Sequence, residues 1–472
     1  MPACVRISGF GVAASTCVVA GGVVVAAQPT VVIAETSKLL ASDGSAGDTL
    51  GRSISIEGRR VVVGAPFESR GFFEREAGAA YVFDAVTGQQ VRKLTAFDAE
   101  TDAFFGVSVA AIEDRVLVGA SQAEAAGFRA GAAYAFDGPA VGFTTQVLPV
   151  SILPQGPDAG FFGLDLDADS GFTVIAAPAD LDVTNGGGGA MYIYETATLD
   201  LVAKVFSSDQ SFADNFGTKV AVSGSFAVGT TPFDDDLGPD SGSAYVFDAA
   251  TGAELRKILA PDGAERDFFG LSVALDGDLL AVGAPLDDDA GASSGSVYLF
   301  DVRTGAFQRK LVASDARAGD RFGFAVAIAN GRVIVGAPNV DTPGDDAGAV
   351  YVYDADLGAA LARLVPTDLG PGAVFGGAVS ASGDLIAVSA EGDDTNGAEA
   401  GAAYVFDLAG LAAGCSVADL ATPFGLIDIG DVDAFIAAFV SGAGAADVAP
   451  PFGLVDIDDV DGFIVAFLAG CP

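Results

Sequence analysis

The sequence predicts an all-β fold, a seven-bladed β-propeller of four-stranded antiparallel blades, followed by a small α-helical module of two loop-helix repeats. Three observations carry this. A glycine-marked unit returns seven times, each return holds four short apolar runs divided by turn residues, and a shorter duplication at the C-terminus has helical spacing.

The clearest unit runs from Phe269-Gly270-Leu271-Ser272-Val273 through Leu280-Ala281-Val282-Gly283-Ala284-Pro285 to Gly295-Ser296-Val297-Tyr298-Leu299-Phe300-Asp301 and Gln308-Arg309-Lys310-Leu311. Its first glycine recurs at Gly51, Gly106, Gly163, Gly217, Gly270, Gly323 and Gly376, so copies lie 55, 57, 54, 53, 53 and 53 residues apart. Four-stranded units of that period build propellers, in which each blade covers its apolar faces with its neighbours. The strands are A (after Phe-Gly), B (up to Gly-Ala-Pro), C (Tyr-x-Phe-Asp) and D (Arg-Lys-Leu). Asp276-Gly277 and Asn330-Gly331 turn A into B, and Thr251-Gly252 and Thr304-Gly305 turn C into D.

Strand A carries small residues two and four places after the repeat glycine, as at Ser53 and Ser55 or Ala325 and Ala327, which suits crowding near an axis. The last unit stops at Tyr404-Val405-Phe406-Asp407 without a strand D. An orphan, Ser37-Lys38-Leu39-Leu40-Ala41-Ser42-Asp43, matches Arg309 to Asp315, so the N-terminal strand is expected to complete blade 7 and close the ring.

These Phe-Gly and Gly-Ala-Pro signatures resemble the FG-GAP repeats of the integrin α-chain propeller, over residues 31–409. In calcium-binding versions an Asp-x-Asp/Asn-x-Asp-Gly-x-x-Asp loop precedes Gly-Ala-Pro. Here Ala274-Leu275-Asp276-Gly277-Asp278-Leu279 is too short to enclose an ion, and the blades resemble metal-free bacterial relatives.

Charge and composition bound the function. Lysine plus arginine number 23 against 63 acidic residues, a formal net charge of −40, which argues against nucleic acid and anionic membranes as partners. There is no histidine, so neither a His-based triad nor a His-ligated zinc site can be built. Oxygen-ligated Ca²⁺ is the metal chemistry that remains. Residues 1–27, with Arg6 ahead of an apolar run from Ile7 to Val25, read as a secretory signal peptide, the alternative being an uncleaved anchor. Its cleavage leaves no transmembrane helix and a chain that is secreted or held at the cell surface. The remaining cysteines, Cys415 and Cys471, read as one disulfide, or otherwise as two free thiols.

Alternating strands place loops B–C and D–A on one face. Loop B–C holds Asp234, Asp235, Asp236, Asp287, Asp288, Asp289, Asp345, Asp346, Asp393 and Asp394; loop D–A adds Asp262, Asp267, Asp315 and Asp320. This acidic face is expected to bind a protein or glycan partner or Ca²⁺, or to serve as a solvated, repulsive surface whose aspartates form turns. In blade 3, strand A reads Asp165-Leu166-Asp167-Ala168-Asp169, and blade 4 has Lys219 at the position of Asp165. An Asp165–Lys219 ion pair between neighbouring blades is expected, with a vestigial cation site as the alternative.

At the C-terminus, Ala418-Asp419 to Asp431 recurs 28 residues later as Ala446-Asp447 to Asp459, and each half leads into a helix-spaced stripe, Val432, Phe435, Ile436, Phe439, Val440 and Val460, Phe463, Ile464, Phe467, Leu468. The pair, within 412–472, resembles a type I dockerin and, more closely, C-terminal modules of secreted planctomycete proteins. The resemblance implies Ca²⁺ ligation by Asp419, Asp428 and Asp431 and by Asp447, Asp456 and Asp459, and a cohesin-like or cell-envelope partner. Ala421, Pro423, Ala449, Pro450 and Pro451 stand where the family has Asp or Asn, so any sites are weak or vestigial. The alternative is that Asp431 and Asp459 only cap helices.

Together these features predict a non-catalytic extracellular recognition or surface-display protein. A calcium-dependent adhesion protein and a carbohydrate- or ester-cleaving hydrolase are the alternatives.

Overall fold

In the computed structural model the described residues are 33–411, without 70–74, 99, 125–128, 139–149, 153–158, 181–187, 210, 212–213, 342 and 410, together with the strand pair Cys4–Arg6 and Ser15–Cys17. The expected C-terminal module, with its six candidate calcium ligands, Cys415 and Cys471, lies outside them. No helix among the described residues is long and apolar enough to cross a membrane.

The chain forms seven four-stranded antiparallel blades in the order A–B–C–D. Blade 1 is typical, with strands Ser53–Glu57, Arg60–Ala65, Ala79–Asp84 and Gln90–Leu94. Blades 2 to 6 span 105–152, 166–205, 220–258, 272–311 and 325–364. Blade 7 takes strands A to C from Phe375–Ser382, Leu385–Ala390 and Ala402–Asp407, and its strand D is Ser37–Leu39, paired antiparallel with Ala403–Val405. The closure read from the orphan segment is therefore the one observed.

The core is divided among the blade junctions. Each of seven apolar clusters joins two adjacent blades, and the cluster at the closing seam packs Leu39 with Ile54, Tyr81 and Val405. This follows from strand alternation: successive side chains point to opposite faces, so each blade buries one set against its predecessor and the other against its successor. Within six blades a phenylalanine from the Phe-Gly pair stands against the strand C tyrosine, as in Phe216–Tyr245, 5.7 Å between ring centres at 89°.

Two glycines of the repeat meet across a junction. A Cβ on Gly283 in strand B of blade 5 would lie 2.1 Å from the carbonyl oxygen of Gly323 in blade 6 and 2.2 Å from Ser272 Oγ. Gly323 adopts φ +88°, in the left-handed region, which aims that carbonyl into the space left by Gly283. Ser272 Oγ donates to the same carbonyl at 2.7 Å. Gly283→Ala is therefore expected to destabilise by about 3 kcal/mol, since backbone must move to admit the methyl group. Gly277→Ala, in the open A–B turn with nothing within 4 Å, is expected to cost about 1 kcal/mol for its positive φ alone. Equal losses in denaturant unfolding would contradict the contact as the cause.

Candidate functional site

The loop face is organised by a cation in most blades. In strand C the tyrosine of Tyr-x-Phe-Asp faces a lysine of strand D across the sheet, as Tyr245 faces Lys257 and Tyr298 faces Lys310. The ammonium lies 4.9 Å from the ring centre at Tyr298 and 5.2 Å at Tyr245, within cation–π range. Lys257 Nζ reaches Asp209 of loop D–A at 2.7 Å, and Asp234 and Asp236 of loop B–C at 2.8 and 2.7 Å. Lys310 repeats this with Asp262, Asp287 and Asp289, and Lys38 with Asp368 and Asp393. Lys93 bridges Asp43 and Glu68, Lys204 pairs with Asp180, and in blade 6 Arg363 approaches Asp315 at 3.7 Å.

These contacts sort the acids of the face. Asp234, Asp287 and Asp393 are buried anchors beneath the lysines, and the tyrosine hydroxyls of Tyr245, Tyr298 and Tyr404 donate to them. Asp236 and Asp289 are exposed but ion-paired. Asp235, Asp288 and Asp394 are exposed and accept the backbone N–H of Asp240, Ser293 and Glu399. Asp346 accepts from Asn339 Nδ2, and Asp345 is exposed. Asp209, Asp234 and Asp236 bring carboxylate oxygens within 4.8 Å of one another, an arrangement suited to a divalent cation, but Lys257 Nζ holds all three.

A second site lies on the axis, where the A strands line a cavity of about 490 Å³. Its lining combines Val107, Leu164, Leu271 and Phe324 with Arg52, Thr218, Asp165, Asp167 and Lys219. The expected Asp165–Lys219 pair is present at 3.1 Å. The three acids of blade 3 also accept backbone N–H groups from strand A of blade 4: Asp165 from Val220, Asp167 from Val222 and Asp169 from Gly224, at 2.9, 2.9 and 2.6 Å. Innermost strands have an unpaired edge, and a neighbouring side chain satisfies it. At other junctions serine does this, with Ser380 accepting from Ile56, Ser55 from Ala111 and Ser223 from Gly277.

The FG-GAP repeat family model matches residues 33–83, 89–136, 200–247, 253–300, 306–353 and 360–406, more than half of the chain. The chain belongs to the FG-GAP repeat family. No curated protein matches it. Among solved structures, the crystal structure of the computationally designed Ika8 protein is similar, at 15% identity and a TM-score of 0.48, over 78% of this chain and 99% of that one.

The FG-GAP match omits 137–199, where the pattern is most altered: strand D of blade 2 lacks its lysine and strand A of blade 3 carries the acid ladder. Read as a sequence, the lysine marked strand D, but its role as counter-ion was missed. The signal was its constant distance from the FG-GAP tyrosine, 12 residues from Tyr81 to Lys93, from Tyr192 to Lys204, from Tyr245 to Lys257 and from Tyr298 to Lys310.

The FG-GAP acids fall into two titration classes. Burial pushes Asp267 up to about 6, against a hydrogen bond from Ala264 N–H and helped by the charge of Asp287. Burial likewise raises Asp48, Asp214 and Asp320, and raises Asp167 to about 7, against the N–H groups of Val222 and Ala168 and with the charges of Asp165 and Asp169 adding. For Asp43, Asp209, Asp262 and Asp393 burial also pushes upward, but the lysine bonds outweigh it and these groups fall below the usual 3.8. The first class binds more protons folded than unfolded, so its effect is a stability loss as pH rises through about 6 to 7. The second stabilises above 3.8, and that contribution is lost as pH falls through the lowered folded values. The melting temperature is therefore expected to peak near pH 4, falling below that as the second class protonates and falling above it until about pH 7, where the first class is fully ionised. Calorimetry from pH 3 to pH 8 checks this, and a maximum at pH 8 contradicts it.

Proposed function

We propose that this FG-GAP chain is a non-catalytic extracellular recognition or surface-display protein. Its rigid propeller presents the B–C and D–A loops to a protein or glycan partner, and residues 412–472 attach it to an envelope component or a cohesin-like partner. The observation that supports this reading most is the division of labour among the loop acids. Buried aspartates hold the lysines, while Asp235, Asp288, Asp345 and Asp394 keep exposed carboxylates with no ion-pair partner among the described residues. Binding groups on loops fixed by a rigid scaffold are a common recognition design. The absence of histidine favours binding over acid-base catalysis.

Calcium-dependent adhesion is the second reading. It places Ca²⁺ at Asp419, Asp428, Asp431, Asp447, Asp456 and Asp459 and uses a Cys415–Cys471 disulfide to staple that module. Calorimetric Ca²⁺ titration of the secreted protein, beside a version ending at residue 411, separates the two. Saturable binding that needs 412–472 favours calcium-dependent attachment. Binding by both versions moves the ion to the propeller, and no heat from either leaves a metal-independent recognition face. Turnover of any member of a glycan and ester panel overturns the non-catalytic reading.

A further inference from the structure

The cavity on the axis differs from the loop face in what lines it. The A strands of successive blades touch around the ring, and the residue after each repeat glycine lines the space they enclose. In blades 2, 3, 5 and 6 that residue is Val107, Leu164, Leu271 and Phe324, so this level of the lining is mostly apolar. In blade 1 it is Arg52, and in the adjoining blade 7 it is Gly377, which presents no side chain.

The other polar groups of the lining are already engaged. Ser53, Ser108 and Ser272 donate to the carbonyls of Gly106, Gly163 and Gly323 in the next blade, and Ser55 and Ser380 accept backbone N–H groups. Thr218 Oγ1 donates to the carbonyl of Asn215. Asp165 holds Lys219 and the N–H of Val220, and Asp167 accepts the N–H groups of Val222 and Ala168. Arg52 is the exception. Its guanidinium makes no hydrogen bond among the described residues, its contact with Glu391 is 3.5 Å long, and its side chain is 49% exposed. A planar fork of N–H donors beside apolar walls suits a carboxylate carried on an apolar body. A cavity of about 490 Å³ lies within the range that small-molecule sites occupy.

We propose that the axial cavity binds a small amphipathic carboxylate, with its oxygens on Arg52 and its apolar body against Val107, Leu164, Leu271 and Phe324. The site draws on the inner strands rather than on loops B–C and D–A, so it stands or falls apart from recognition at the loop face.

Octanoate is the probe, compared with 1-octanol and octylamine, which share its chain and differ at the head group. Calorimetric titration of the native protein is expected to show saturable binding of one octanoate, about tenfold tighter than either comparison compound, the contribution of one charge-assisted contact. Arg52→Gln is expected to remove that preference and leave the three compounds alike. Gly377→Phe puts into blade 7 the ring that Phe324 puts into blade 6, at a position outside the left-handed region where a Cβ meets nothing nearer than 3.4 Å. It is expected to abolish octanoate binding and to leave the melting temperature close to that of the native protein. Octanoate that gives no saturable heat, binds no tighter than 1-octanol, or binds R52Q or G377F as it binds the native protein overturns the assignment. Octylamine as the tightest of the three also overturns it, by moving the head group to Asp165 and Asp167.

Discussion

Deleting residues 33–42 is expected to abolish the closed ring. The loss is larger than three ladder residues suggest. Leu39 is fully buried in the cluster between blades 7 and 1, and removing such a side chain costs about 2–5 kcal/mol. Lys38 leaves with it, stranding Asp393 and Asp368 beside Tyr404. The backbone bonds from Gly47 to Ala398 and from Leu50 to Ala400 lose the strand that anchors them. Strand C of blade 7, Ala402–Asp407, becomes an open edge that invites pairing with another chain. The combined cost is comparable with the whole stability of a typical domain, roughly 5–15 kcal/mol. Size exclusion and thermal unfolding of the truncated protein are expected to report aggregates or an early, broad transition. A monomer with an unchanged melt removes the clasp as the source of closure.

Lys257→Met is expected to destabilise by about 2–4 kcal/mol, because it leaves buried Asp234 and its neighbours Asp209 and Asp236 without their counter-ion. The exposed members of the cluster relax into solvent, which keeps the figure below that of a wholly buried pair. Arg363→Met provides the comparison: its contact with Asp315 is 3.7 Å, and Val340 stands at the buried-acid position, so its loss is expected to be under about 1 kcal/mol. Removing Lys257 also frees three carboxylates that already converge within 4.8 Å. Millimolar Ca²⁺ is therefore expected to restore part of the lost stability in K257M, by mass action on the folded state. Chelator-reversible recovery of the melting temperature would establish this, and equal calcium responses in the native protein would refute it.

The ring was legible because sterics enforce its markers. Gly283 and Gly323 leave no room for a Cβ where blades meet, so glycine returns at a fixed interval and the interval is visible without coordinates. Ser37-Lys38-Leu39 could be matched to Arg309-Lys310-Leu311 because the same pockets receive both. The Asp165–Lys219 pair was readable from equivalent positions in neighbouring blades. The lysine sockets were not, since each gathers groups from three stretches of chain, with Asp209, Asp234 and Tyr245 all converging on Lys257. By residue type alone these acids resemble an open face, whereas Asp234, Asp287 and Asp393 hold the chain's own lysines. The backbone acceptors at Asp165, Asp167 and Asp169 also escaped notice, because their donors belong to the next repeat.

The clasp at Ser37–Leu39 has a consequence for how such a ring can change size. The covalent repeat, as in 253–300 or 306–353, begins with the outer strand of one blade and ends with the third strand of the next, so heredity and folding count in units offset by one strand. A duplicated repeat inserted at any joint would supply one outer strand to the blade before it and three inner strands to the next, and Ser37–Leu39 would still pair with the third strand of the last blade. The number of blades is thus free to drift by whole repeats without any intermediate exposing an unfinished sheet. Only the curvature that the junctions tolerate limits how many such additions the ring accepts.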